Sequence, residues 1–393
     1  MSKAGPGRDS RGALLPAELT SLFDDRFHRS CELVEEYVHR LTRRVFDRLE
    51  LARASVEPGS WREIASRAGL SPERARVPLT WMFRTLAARG VLAARRDADG
   101  TERFVLASGA PALDPDEMVE AQRRHDASAL PAYALAALAA EEYPRFLRGE
   151  AEGEEILFGP GRLPVWEAYF SNENPLYAVS NVLGAIAAEG AFPASGGEIL
   201  EVGAGLGSAA AALMSRLAGA GLSARVTSHR FTDSAIPFLR RAQRSLGSHG
   251  LAYPLTFGRL DMNRPFSEAG VAPGSAALVY AVNVLHVAAD LGFTLREIRI
   301  ALRGDGALVF AECVRPRPEQ PVYVELVFNL LTSFRSPKLE PTWRPTGGFL
   351  TPEQWADALR ANGFAPTRML PEVAALRDAL PSLVVTAITA RPA

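Results

Sequence analysis

The sequence predicts an α/β fold: a Rossmann-like, doubly wound and mostly parallel sheet, preceded by an N-terminal helical domain with a winged-helix unit. Three observations carry this. Apolar strand runs alternate with helical segments between Gly197 and Cys313, and polar residues stand at or just past their ends: Glu201, Asp233, Asp261, His286 and Glu312. Three glycines, Gly203, Gly205 and Gly207, separate the first run from an alanine-rich helix. Upstream, Ser60 to Arg89 has helix-turn-helix spacing, and two strand-like runs flank Asp97-Ala-Asp-Gly100.

Residues 1–15 are polar and rich in Gly and Pro, the composition of a disordered tail, and lack the apolar core of a secretory signal. Residues 16–108 form the winged-helix-like domain. A helix is expected over 17–54, then a helix from Ser60, a turn at Gly69, a helix capped by Ser71, and a hairpin within Val91–Leu106. Arginines at 74, 76, 84, 89, 95 and 96 raise a DNA-binding reading. Acids are interleaved almost as densely, and Trp81, Met82, Phe83 and Leu86 give the second helix an apolar face. That balance favours a homodimerisation or pocket-closing domain over nucleic-acid recognition. Residues 109–190, alanine-rich near 129–140, read as a helical linker or lid.

The first strand of the 191–393 domain meets its helix through Glu-Val-Gly-Ala-Gly-Leu-Gly, residues 201–207. Glycines there let the backbone turn sharply and approach a ligand, which the following helix meets with its free N–H groups. The dinucleotide pattern would need its third glycine at 208, where Ser208 stands. A second strand, 223–232, leads to Asp233, a third over 253–262 contains Asp261, and a nearly continuous apolar fourth runs from 276 to His286. A helix near 290–303, the turn Arg303-Gly-Asp-Gly306, and a fifth strand over 307–313 follow. The insertion 315–350 is expected to be a substrate lid, with an apolar helix over 322–334 and Trp343 in a Pro-rich loop. A capped helix from Thr351 and a last strand near 382–390 close the domain.

Taken in order, Glu-Val-Gly-Ala-Gly-Leu-Gly, Phe231-Thr-Asp233, Leu260-Asp-Met262, Asn283-Val-Leu-His286 and Ala311-Glu-Cys313 resemble the class I S-adenosylmethionine-dependent methyltransferases, over roughly the second half of the chain. The resemblance implies S-adenosylmethionine as cofactor, with Glu201, Gly203, Gly205 and Gly207 at its methionine portion, Asp233 at the ribose, Asp261 and Met262 at the adenine, and Asn283 alongside. Two subfamilies fit: the C-methyltransferases of polyketide synthases, through Asn174-Pro-Leu-Tyr177, Asn181 and Asn283-Val-Leu-His286, and the dimeric small-molecule O-methyltransferases, through Leu285-His286, Asp290 and Glu312. Both imply His286 as general base and Glu312 as its carboxylate. Tyr177, Asn181 and Trp343 are expected at the substrate. The chain departs from both where an Asp commonly opens the fourth strand; Ala277 stands there.

Such a pair suits methyl transfer, in which the acceptor must be aligned with the donor and lose a proton; histidine is a natural base, and a carboxylate on its other nitrogen fixes the tautomer. Histidines 28, 39, 125, 229 and 249 follow no conspicuous strand and read as surface residues. No metal site is expected: Cys31 and Cys313 have no ligand spacing, and only Asn283 follows the fourth strand as an Asp/Asn ligand. A formal net charge of −1 gives no global drive toward nucleic acid or an anionic membrane, and no apolar run spans a bilayer. The sequence thus reads as a cytoplasmic methyltransferase of a small or carrier-bound natural-product substrate. The alternatives are a winged-helix DNA-binding regulator that senses a small molecule, and a fold that binds the cofactor without transferring methyl.

Overall fold

The computed structural model describes residues 15–107, 109, 111–247 and 252–393, so the expected tail, apart from Leu15, and His249 lie outside the described residues. The chain forms two units, each assembled from separate stretches: one from 24–169 with 319–336, the other from the chain up to Phe23 with 170–318 and 337–393.

In the first unit, helix Asp25–Arg48 starts where the Asp24 side chain accepts the Phe27 N–H. It buries Leu33, Val34, Tyr37, Val38, Leu41, Val45 and Phe46, one stripe at helical spacing. The expected 17–54 helix is interrupted: Glu50 adopts a left-handed conformation before the single turn Leu51–Ala54. A Ser60–Glu63 capping box opens Trp61–Arg67, and Pro72–Ala88 follows. Strands β1 (Leu92–Arg96) and β2 (Glu102–Leu106) pair antiparallel as the expected hairpin. Trp81, Met82, Phe83 and Leu86 are buried, while Arg84 and Arg96 pair with Glu102, Arg89 with Glu36 and Arg74 with Glu152. Helices Asp116–Asp126, Leu130–Leu147, Gly153–Phe158 and Leu163–Tyr169 complete the contiguous part.

The lid expectation divides. Residues 319–336 belong to this first unit, where the Trp81 indole donates to the Val322 carbonyl (3.1 Å), the Tyr143 hydroxyl to that of Leu326 (2.8 Å), and the Thr332 N–H to Glu154 (2.7 Å). The continuous helix expected over 322–334 is two single turns, Glu325–Phe328 and Thr332–Arg335, because the chain is extended at Leu331 (ψ 133°). Residues 337–350 belong to the second unit, as does helix Pro175–Ala191, so the boundary falls at 169/170 rather than 190/191.

The second unit is built on seven strands in the order β5-β4-β3-β6-β7-β9-β8: β3 (Gly197–Val202), β4 (Val226–Asp233), β5 (Leu255–Arg259), β6 (Ala276–Val282), β7 (Leu302–Cys313), β8 (Arg368–Leu370) and β9 (Val385–Ala390). The first five are parallel, and β9 runs antiparallel to both β7 and β8. β6 is buried at every residue, as its apolar run demands of a strand covered on both faces. The expected turn at 303–306 is instead a break in register inside β7, since Ala276 faces Leu302 and Leu278 faces Ala307. Helix Pro175–Ala191 packs on β6, β7 and β9; a Cβ at its Gly184 would lie 2.7 Å from the Tyr280 hydroxyl. The chain winds outward from β3 to β5 and returns to β6 beside β3. A crevice at the carboxyl ends of β3 and β6 is the place such a topology offers a ligand.

Candidate active site

Glu201 stands near the end of β3, with 1% of its surface exposed. Its Oε2 lies 2.8 Å from His229 Nε2, while its Oε1 is buried with no hydrogen-bond partner. Burial pushes its carboxyl pKa up, and the His229 bond opposes that shift. The three glycines that follow all have positive φ. Gly203 is required by crowding, because a Cβ there would sit 2.3 Å from Val284 Cγ2. Gly205, at φ +57°, differs: its Cβ would meet no protein atom within 4 Å. The loop therefore has an open side at Gly205 and an unsatisfied carboxylate oxygen at its root, and helix Ser208–Gly219 begins at its end. These features fit the amino and carboxylate ends of an S-adenosylmethionine molecule.

Asp233 ends β4 with its carboxylate turned to the same loop: Oδ2 accepts the Gly205 N–H (2.9 Å) and Oδ1 the Ala235 N–H (2.7 Å). Burial raises its pKa despite these bonds. Asp261 and Met262 follow β5 and are partly exposed. Asp261 Oδ1 accepts the Asn263 backbone N–H (3.0 Å), and the Met262 carbonyl accepts from Thr294 (2.9 Å).

At the ends of β6 and β7 the two expected catalytic residues meet. His286 Nδ1 is 2.6 Å from Glu312 Oε2, and the pair is buried. Glu312 Oε1 accepts the backbone N–H groups of Val284 (3.1 Å), Leu285 (2.8 Å) and His286 (3.3 Å). One carboxylate thus holds both the ring and the turn that carries it. Asn283 enters that turn with φ +51°, and its Oδ1 accepts the Cys313 N–H (3.1 Å). Tyr177 bonds the Asn283 side chain, and burial pushes its phenol up.

Asn181 donates its Nδ2 to Asn172 (2.7 Å) and to the hydroxyl of Ser208 (3.1 Å), the first residue of the helix after the glycine loop. Trp343 is buried in the 340–344 turn, and it is the next residue, Arg344, that reaches the site. Its guanidinium, wholly buried, donates to the carbonyls of His286 (2.6 Å) and Ala288 (3.0 Å), and burial pushes it down to about 10. The Phe349 ring centroid lies 4.7 Å from that of His286. Sequence reading missed Arg344, Phe349 and His229. His229 in particular reads as a surface residue but is fully buried in β4, and His28 is buried too. Among the described residues no group of three or more His, Cys, Asp or Glu side chains is arranged to hold a metal ion.

No family model matches the chain. Polyketide synthase ThaG of Burkholderia thailandensis is 31% identical over 331 residues, which is 81% of this chain and 5% of that protein. The highly reducing polyketide synthase otaA of Aspergillus niger is 32% identical over 219 residues, 54% of this chain and 8% of that protein. The chain thus spans a tenth or less of the length of these relatives. Among solved structures, the CurJ carbon methyltransferase superimposes with a TM-score of 0.75 at 23% identity, covering 98% of this chain and 97% of that one. The DszA carbon methyltransferase gives 0.68 at 22%, covering 99% and 94%. The citrinin polyketide synthase CMeT domain gives 0.70 at 18%, covering 95% and 91%. The chain has the class I methyltransferase fold, in the form that carbon methyltransferase domains take.

Proposed function

We propose that the chain is an S-adenosylmethionine-dependent methyltransferase that methylates the activated carbon of a polyketide-type acyl chain presented as a β-ketoacyl thioester. The observation that carries this reading is the buried His286–Glu312 pair, 2.6 Å apart at the ends of β6 and β7 beside the glycine loop. The polyketide synthase relatives and carbon methyltransferase neighbours support carbon as the acceptor. When bound, S-adenosylmethionine supplies an electrophilic methyl group. Glu201 and residues 203–207 would hold its methionine portion, Asp233 its ribose and the 261–262 turn its adenine. Glu312 holds the proton on His286 Nδ1, which leaves the basic lone pair on Nε2. A carbon between two carbonyls is acidic enough to give its proton to that nitrogen, and Glu312 stabilises the imidazolium that forms. Arg344 and the carboxylate hold the 283–288 backbone so that Nε2 keeps one direction.

The test is to incubate the protein with methyl-labelled S-adenosylmethionine and a β-ketoacyl thioester, then read the product by mass spectrometry and carbon NMR. The expected result is one added methyl on the carbon between the carbonyls. A methyl on oxygen would sink the carbon reading and leave an O-methyltransferase.

A further inference from the structure

His229 has no place in the chemistry above, yet it is a fully buried titratable side chain in β4. Its Nε2 lies 2.8 Å from Glu201 Oε2. On the other side of the ring, the buried Tyr253 hydroxyl is 3.5 Å from Nδ1, the long limit of a hydrogen bond. The Glu201 oxygen that His229 does not touch, Oε1, is the buried one with no partner. Glu201 and His229 are separated by a whole helix and lie on adjacent strands, so no short motif links them.

We propose that His229 is a positioning residue for cofactor binding: by holding Oε2 it keeps Glu201 an ionised, acceptor-only group whose Oε1 receives the cofactor's amino group. The inference rests on the reading that the glycine loop holds S-adenosylmethionine. A carboxylate this deep is costly unless paired, and without a partner it takes up a proton and can become a donor. Asp233, on the same strand as His229, adds to that pressure, and the phenols nearby, Tyr177 from helix Pro175–Ala191, Tyr253 before β5 and Tyr280 on β6, are held neutral by burial and offer no positive charge against it. His229 supplies the one hydrogen bond to the Glu201 carboxylate among the described residues. The three-residue arrangement Tyr253–His229–Glu201 therefore acts on the cofactor without touching the acceptor.

The experiment is calorimetric titration of the whole chain with S-adenosylhomocysteine, the demethylated cofactor, between pH 6 and 9. His229→Phe should bind about 10- to 100-fold more weakly near pH 6 than the parent and recover as pH rises, because the unpaired carboxyl then ionises. His229→Gln, which keeps an N–H donor, should stay within about threefold. Glu201→Gln should bind weakly at every pH, and adding His229→Phe to it should cost nothing more. A His229→Phe protein with parental affinity and pH profile would overturn the inference, as would an equal loss in the Glu201→Gln background. Failure of the parent to bind at all overturns the cofactor reading instead. If His229→Phe does not fold, the imidazole nitrogen signals of His229 in the parent decide: they should move on adding S-adenosylhomocysteine, and unmoved signals overturn the pairing.

Discussion

At the scale of single residues the site separates positions that serve the fold from those that serve a ligand. Gly203→Ala forces a Cβ into Val284 Cγ2 and should displace the turn that carries His286, lowering both stability and turnover. Gly205→Ala meets no protein atom, so only the left-handed backbone opposes it, by about 1 kcal/mol; it should fold, yet lose most cofactor affinity. Thermal melts and calorimetry on the two variants check the contrast, and a Gly205→Ala protein that binds normally would make the loop structural. His286→Ala should lower turnover about 10²- to 10⁴-fold with little change in cofactor affinity. Glu312→Gln keeps an acceptor for the three backbone N–H groups but turns an NH₂ toward Nδ1, which moves the ring proton to the wrong nitrogen. Steady-state rates should show a large loss there too, and a double variant far from additive.

At the scale of elements, legibility followed the reach of local pattern. The glycines, the acids at strand ends and the His286–Glu312 pair stand in a parallel βα series, where each strand end is marked by its own run, and these were readable. His229 was not, because it stands in a run of four polar residues, Thr227 to Arg230, whose pattern marks no buried position, and its partner lies on another strand. Arg344 sits in a Pro-rich loop where a charge reads as solvated; only tertiary structure turns it onto two carbonyls. The 322–334 run has helical spacing, but the carbonyls of Val322 and Leu326 bond to side chains of other helices and Leu331 breaks it. Arg344→Met should cut turnover about 10- to 100-fold while cofactor affinity stays within threefold, and Lys should not rescue it, since one ammonium cannot replace a fork spanning both carbonyls. Rate and binding measured on the same samples decide this. In helix Asp25–Arg48, burial and the neighbouring Arg89 push His39 down to about 4. The unfolded chain takes up that proton from about pH 6.5 downward and the folded chain does not until about pH 4, so stability is lost as pH falls through this window. The loss is at most about 3 kcal/mol, less for the ring's partial exposure, and denaturant melts of His39→Gln should show a flatter acid limb.

At the scale of the whole molecule, the first unit has most of its apolar and basic side chains already engaged. The apolar side chains of Pro72–Ala88 are buried, and most of the neighbouring arginines already have carboxylate partners. We propose that this unit supports a homodimer. Light scattering should report about twice the chain mass, whereas tight, salt-sensitive binding of duplex DNA would favour a regulator. Among the described residues no helix is long and apolar enough to cross a membrane. The interleaving of the two units bears on how the chain can be divided. It passes from one unit to the other at 23/24, 169/170, 318/319 and 336/337. A single cut therefore frees neither: a fragment ending at 169 lacks the Val322 and Leu326 carbonyls to which Trp81 and Tyr143 donate, and one starting at 170 carries those carbonyls without their donors. A chimera that borrows the first unit from a relative must carry residues 24–169 and 319–336 together, so grafting of this unit is a two-segment operation.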